Sequence, residues 1–241
     1  MLRTIPAPCR SARNRANCSP RPGGPVRLFC RALAALAVCA AAGISPTRVT
    51  AAPPEKAPGW KQLFDGKTLA GWKSTAFGGE GEVLVQDGRI VIRVGNPMSG
   101  ITYTGEFPKT DYEISLEAMR VDGSDFFCGL TFPVGDSPCS FIAGGWGGGV
   151  VGLSSVDGSD ASENETTKYQ EFQNQRWYKL RVRVTPEKIG AWIDHKQMVD
   201  LPLKDRRISV RIEVELSRPL GIATYATTGA VRDVKVRSVR D

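Results

Sequence analysis

The stretch that decides the fold reads Asp111-Tyr112-Glu113-Ile114-Ser115-Leu116-Glu117-Ala118-Met119-Arg120. Apolar side chains fall on every second position from Tyr112 to Ala118, and Glu113, Ser115 and Glu117 occupy the positions between them. Because successive side chains of a strand point to opposite faces, this alternation predicts a half-buried antiparallel strand.

The rest of the chain reads as further strands around this one. Residues 177–184 alternate in the same way, and residues 83–85 and 89–93 flank an Asp87-Gly88 pair that favours a tight hairpin. Asp194 and His195 begin a turn between two more short strands. The other strands are predicted over residues 126–132, 140–143, 150–154, 189–194, 208–216, 221–226 and 231–239. So many short strands, with no sustained helical periodicity, predict an all-β, two-sheet antiparallel sandwich, a jelly roll.

The first 51 residues differ from the rest and predict a leader. They contain eight Arg, no Lys and no acidic residue, and residues 32–44 form an apolar run too short to span a bilayer. We expect cleavage near Ala51 and export to the periplasm or the medium, with no transmembrane segment after processing. Lipid attachment at Cys39 is an alternative that bulky Val38 disfavours, and the long basic start also admits a translation start near Val26.

Removing this leader changes the charge and the cysteine count. The whole chain has 32 basic and 25 acidic residues, but without the eight leader arginines the remainder has a net charge of about −1. The basic pI therefore predicts no nucleic-acid partner, and Arg232, Lys235 and Arg237 are interpreted as a solvated strand face. Two cysteines remain, Cys128 and Cys139, and a hairpin near Gly135 would pair Cys139 with Phe132, so two buried thiols are favoured over a disulfide.

Several segments together resemble one protein family. The run from Leu63 to Trp72, Leu-Phe-Asp-Gly-Lys-Thr-Leu-Ala-Gly-Trp, is similar to the opening element of the bacterial 3-keto-disaccharide hydrolase domain family. Similar segments lie at residues 86–90, 111–114, 177–194, 218–222 and 231–236, so the resemblance covers residues 59 to about 239. It implies a concanavalin A-like jelly roll over residues 59–241, preceded by a short linker at 52–58, and it implies action on 3-keto glycosides.

The resemblance also implies which chemistry the site must perform. A 3-keto group makes the sugar C2 proton acidic, so the glycosidic bond can break by elimination followed by water addition. Such a reaction needs a base, an acid and an electrophile for the enolate. Arg211, Glu213 and Glu215 are the catalytic candidates, because alternation within the predicted strand 208–216 puts them on one face, roughly 6–7 Å apart. An ordinary solvent-facing ion-pair ladder is the alternative.

Two other segments supply candidates for substrate binding. Trp146 lies within a Gly-rich run, where its ring could stack on the apolar face of a sugar or fill the core at a tight crossover. Asp160, Glu163 and Glu165 lie in an acidic loop that could contact a saccharide; Ca²⁺ is a lesser alternative there, and no cofactor is expected. Asp122 and Asp125 are interpreted as turn residues.

The sequence therefore predicts a secreted domain that binds a glycan or small saccharide. The leading hypothesis is a hydrolase acting on 3-keto disaccharides. A non-catalytic carbohydrate-binding module of the same fold is the main alternative, and a cell-surface adhesion domain that recognises protein is a third. Carboxylates that converge with an Arg would favour the enzyme. A row of exposed aromatic rings would favour the binding module, and a flat apolar patch would favour the adhesion domain.

Overall fold

The computed structural model describes residues 59–239, and within that range it contains fifteen strands and one short 3₁₀ helix. The predicted leader at 1–51, the Cys39 alternative and the linker at 52–58 lie outside the described residues. The strands are β1 (Lys61–Gln62), β2 (Trp72–Ser74), β3 (Val83–Gln86), β4 (Arg89–Ile92), β5 (Met98–Tyr103), β6 (Tyr112–Gly123), β7 (Cys128–Val134), β8 (Ser137–Gly145), β9 (Val150–Ser154), β10 (Lys168–Tyr169), β11 (Trp177–Val184), β12 (Lys188–Ile193), β13 (Lys196–Pro202), β14 (Gly221–Tyr225) and β15 (Thr227–Ser238). The 3₁₀ helix spans Ile212–Ser217.

The strands form two antiparallel sheets. One has eight strands in the order β13-β12-β11-β6-β15-β4-β3, with β1 added on β15; the other has seven in the order β10-β9-β8-β7-β14-β5-β2. Their inner faces meet in one large apolar core, to which Leu116, Leu180, Phe132 and Phe141 belong. The predicted all-β, two-sheet antiparallel jelly roll is confirmed.

The alternating strand that decides the fold is β6, at the centre of the eight-stranded sheet between β11 and β15. Its apolar side chains are buried in the core, as predicted. Its other face is less open than expected, because the Glu113 carboxylate is itself buried and bonds Arg181 at 3.2 Å and Arg237 at 3.0 Å. The outer face of this sheet is thus partly covered by its own ion pairs.

The same outer face explains the basic residues of the last strand. The Arg232 guanidinium lies 4.1 Å from the centre of the Trp177 ring and bonds Glu117 at 2.6 Å. Arg237 lies 4.7 Å from the centre of the Trp60 ring. These side chains are therefore partnered across the sheet rather than simply solvated.

Two Asp-Gly pairs of the described chain form different turns. Asp87 and Gly88 connect β3 to β4 with φ values of 50° and 75°, the left-handed pair that a tight hairpin requires, so the predicted hairpin is confirmed. The Asp65-Gly66 pair closes no hairpin, because β1 and β2 belong to different sheets. There the Asp65 carboxylate accepts the backbone N–H of Lys67 and of Thr68, and these bonds lower the pKa of Asp65 to about 2.

The cysteine prediction is confirmed. Cys139 is the register partner of Phe132 across the β7–β8 hairpin, whereas Cys128 pairs with Ala143. Both thiols are free and buried, and burial raises the pKa of each to about 12.

The strand predicted over residues 208–216 is wrong. From Ile212 onward the chain forms the 3₁₀ helix, in which the Val214 N–H donates to the Arg211 carbonyl oxygen at 3.1 Å. Only Val214 of the three alternating apolar residues is buried; Ile212 is 87% and Leu216 57% exposed. Backbone pairing with Ser155 and Val156 ends at Ser209. Beyond it, alternation does not separate a core face from a solvent face, because residues 210–216 pair with no strand.

In the described part of the chain, no helix has the length and apolar character needed to cross a membrane.

Candidate functional site

A cavity of about 320 Å³ opens on the outer face of the seven-stranded sheet. Its floor is apolar: Met98 on β5 and Val214 in the 3₁₀ helix belong to one small cluster, Ile142 on β8 to another, and both clusters are separate from the main core. Side chains that can bind or react stand around this floor: Asp125, Phe126, Trp146, Arg211, Glu213 and Tyr225.

A tight turn between β8 and β9 positions Trp146 at the cavity. Trp146 and the next residue, Gly147, have φ values of 49° and 85°, so the chain reverses there and leaves the ring 43% exposed. Asp125 fixes this turn, because its carboxylate accepts the N–H of Gly147 at 2.9 Å and that of Phe126 at 2.7 Å. An Asp at this position therefore links the β6–β7 connection to the β8–β9 turn.

Two further aromatic rings line the cavity. The rings of Phe126 and Tyr225 lie 5.8 Å apart at 35°. Tyr225 ends β14, where its N–H donates to the Phe126 carbonyl oxygen at 3.1 Å and its backbone pairs with Met98. Together with Trp146, these rings give the cavity the apolar surfaces that stack on sugar rings.

The charged side of the cavity is an arginine between two carboxylates. The Arg211 guanidinium donates to both oxygens of Glu213, at 2.8 and 3.2 Å, and to Asp160 Oδ2 at 2.5 Å. This forked bond holds the pKa of Glu213 below its usual value, and the two carboxylates raise that of Arg211. At neutral pH the pair is therefore an ionised carboxylate and a guanidinium bonded to each other at the edge of the cavity.

The structure brings some of the predicted residues together and separates others. Arg211, Glu213 and Trp146 line the cavity, although a 3₁₀ helix and not a strand presents Glu213. Asp160 contacts the site through Arg211. Glu215 points elsewhere and pairs with Arg218.

The remaining acidic residues of the loop lie outside the cavity lining. Glu165 and Asp157 both pair with Arg206, at 2.6 and 2.7 Å, and Glu163 is exposed. Across residues 59–239, no three His, Cys, Asp or Glu side chains are grouped so as to hold a metal ion. Ca²⁺ binding by this loop stays a prediction.

Three of the cavity side chains that can bind or react are absent from the sequence-based candidates: Asp125, Phe126 and Tyr225. Asp125 was interpreted as a turn residue, and it does organise a turn, but that turn carries Trp146. Tyr225 lies at the end of a correctly predicted strand, in which Ile222 belongs to the main core and Ala223 to the outer cluster. The signal that could have found it is the position of an aromatic residue at the open end of a strand.

These features define a jelly-roll domain with an aromatic and charged cavity on one sheet face. The sequence family described as the 3-keto-alpha-glucoside-1,2-lyase-like domain matches residues 59–237. The chain belongs to this family. No curated protein matches it in sequence.

Solved structures share the architecture at low sequence identity. Apo Crh5 transglycosylase superposes with a TM-score of 0.51 and 10% identity, over 77% of this chain and 85% of that one. A putative glycosyl hydrolase from Parabacteroides distasonis gives 0.48 and 13%, over 76% and 94%. The carbohydrate-binding module CBM66 from Bacillus subtilis gives 0.47 and 14%, over 70% and 96%.

Proposed function

We propose that this protein cleaves the glycosidic bond of 3-keto disaccharides in the cavity between Trp146 and the Arg211–Glu213 pair. The observation that carries the proposal is the pairing of an ionised carboxylate with a guanidinium beside exposed aromatic rings. The family match over residues 59–237 supports this substrate class. The cavity volume of about 320 Å³ is at the lower end of the range for small-molecule sites and suits one sugar ring.

The proposed reaction assigns one role to each group. Glu213 removes the acidic C2 proton, and Arg211 stabilises the negative charge that develops on the C3 oxygen. The enolate then re-forms the ketone and expels the C1 oxygen, which takes a proton from Tyr225, leaving a C1–C2 double bond. Water then adds its oxygen at C1 and gives a proton back to the Tyr225 phenolate, while C2 regains the proton held by Glu213, so the net change is hydrolysis and both residues are restored. Trp146 stacks on the ring and orients it.

A carbohydrate-binding module is the second candidate function. Trp146, Phe126 and Tyr225 form the kind of aromatic lining that such a module needs, and this lining requires no catalytic group. We infer in either case that the protein acts outside the cytoplasm on a saccharide, because the leader predicted over residues 1–51 is of the secretory type.

The test is incubation of the purified protein with a 3-keto diglucoside and with its unoxidised parent. We expect glucose and 3-keto-glucose from the oxidised sugar and no release from the parent, because only the ketone makes the C2 proton acidic. Binding of both sugars without release from either would reject the enzyme and support the binding module. Equal release from both would reject the elimination mechanism.

A further inference from the structure

A second cavity, of about 710 Å³, lies on the other side of the turn that carries Trp146. The backbone of Gly147, Gly148 and Gly149 forms one wall. Tyr169 at the end of β10 and the next two residues, Gln170 and Glu171, line the adjoining side, where the Gln170 N–H donates to the Gly149 carbonyl oxygen at 2.9 Å. None of these residues lines the first cavity.

The two cavities share the turn that carries Trp146. Trp146 lines the first cavity and Gly147, the next residue, lines the second. Asp125 lines the first cavity while its carboxylate accepts the Gly147 N–H at 2.9 Å. The linings of the two cavities are therefore joined through the Trp146–Gly147 peptide.

Arg120 lines the second cavity and is fixed there by hydrogen bonds to neighbouring segments. This side chain is 7% exposed, and its guanidinium donates to the Phe172 carbonyl oxygen at 2.6 Å and to Asn174 Oδ1 at 2.7 Å. A Cβ on Gly148, whose φ is 107°, would lie 2.6 Å from the Ser124 carbonyl oxygen and 3.0 Å from Arg120 Nη1. Glycine at this position thus lets the turn pack directly on the arginine and leaves the cavity open above it.

The chemistry of the lining matches a polyhydroxylated ligand. Arg120 lines the cavity with its guanidinium bonded to the Phe172 carbonyl oxygen and to Asn174 Oδ1. Gln170 and Glu171 supply the amide and carboxylate groups that bond hydroxyls. Tyr169 is 75% exposed and offers a ring on which a sugar can stack.

We propose that the second cavity is a subsite for the second saccharide unit, so that a disaccharide lies across the Trp146–Gly147 peptide with one ring in each cavity. This inference rests on the proposed function for the identity of the first subsite. A first cavity of about 320 Å³ with room for one ring needs such an extension to bind a two-ring substrate.

The test compares one-ring and two-ring ligands by titration calorimetry, using methyl glucoside and a set of diglucosides in both their 3-keto and unoxidised forms. All measurements use the Glu213→Gln background, so that no ligand is consumed. We expect Tyr169→Ala to weaken diglucoside binding about tenfold and to leave methyl glucoside unchanged, because one stacking contact is lost. Tyr169→Phe keeps the ring and should bind within about twofold of the parent.

The matched control is Tyr225→Ala in the first cavity, which should weaken both ligands. Equal effects of Tyr169→Ala on both ligands, no effect on either, or no binding of the diglucosides would overturn the subsite. Failure of the proposed hydrolysis gives a different result. The wild-type protein would then release no sugar, while Tyr169→Ala would still weaken diglucoside binding.

Discussion

Two stretches with the same sequence pattern adopt different structures in this molecule. Residues 177–184 and residues 210–216 both alternate apolar and charged side chains. The first is β11, whose Tyr178, Leu180, Val182 and Val184 are all buried in the core. The second becomes the 3₁₀ helix Ile212–Ser217, whose Ile212 and Leu216 are exposed.

The difference comes from what surrounds each stretch. β11 has a strand on both sides, with Leu180 opposite Leu116 on β6 and opposite Ile193 on β12. The 211–217 segment has no strand on either side. Its Arg211 bonds Glu213 and the distant Asp160, Glu215 bonds Arg218, and the Leu216 carbonyl oxygen accepts from the Thr102 hydroxyl of β5 at 3.1 Å. Alternation therefore defines two faces only where neighbouring strands supply the pairing. Where they do not, ion pairs and two buried residues, Val214 and Ser217, set the conformation.

The first test of this comparison is a matched pair of leucine truncations. Leu180→Ala should lower the free energy of unfolding by about 2–5 kcal/mol, because it leaves a cavity in the core. Leu216→Ala should change it by no more than about 0.5 kcal/mol, because that side chain is 57% exposed. Urea denaturation of both variants measures the contrast, and equal losses would show that the 3₁₀ helix does not form as described.

A second test compares a glutamate from each region. Glu113→Gln should destabilise the fold by about 1–3 kcal/mol, because this buried carboxylate bonds both Arg181 and Arg237. Glu215→Gln removes an ion pair whose side chains are nearly half exposed, so the loss should stay below about 0.5 kcal/mol. The same denaturation series measures both. A larger loss at Glu215 than at Glu113 would mean that the exposed pair holds the helix in place.

A third test concerns the charge pair that the 3₁₀ helix brings to the cavity. Arg211 lowers the pKa of Glu213, so the carboxylate stays ionised to a lower pH than usual. In Arg211→Gln the pKa should rise toward its ordinary value of 4.5. If Glu213 is the base, the acid limb of the kcat/KM profile then moves to higher pH, and the rate falls as well because the enolate loses its cation. If the acid limb stays at the same pH in Arg211→Gln, Glu213 is not the group whose ionisation sets it.

The sequence was sufficient to predict the two-sheet fold, because apolar residues recur at every second position of its strands. The β6 and β11 alternations, the Asp87-Gly88 turn and the Phe132–Cys139 register follow from local pattern and turn chemistry. The burial of the Glu113 carboxylate could not be predicted, because it depends on Arg181 and Arg237, which two other strands contribute.

The site was only partly predictable for the same reason. Arg211, Glu213 and Trp146 were identified from residue type and do line the cavity, but the strand geometry expected for the first two was wrong. Asp125 and Tyr225 come from distant connections that meet only after folding, through the Tyr225 N–H bond to the Phe126 carbonyl oxygen. Residue type can identify a candidate catalytic or binding side chain. Long-range contacts determine which of these side chains line the same cavity.

The most direct test of the account is the rate of sugar release from a 3-keto diglucoside by Glu213→Gln and Glu215→Gln. The two residues lie in the same 3₁₀ helix, but only Glu213 lines the cavity. We predict that Glu213→Gln lowers kcat by about 10²-fold or more, the usual contribution of a general base, and that Glu215→Gln stays within about threefold of the wild-type rate. A Glu213→Gln variant with the wild-type rate would contradict the account.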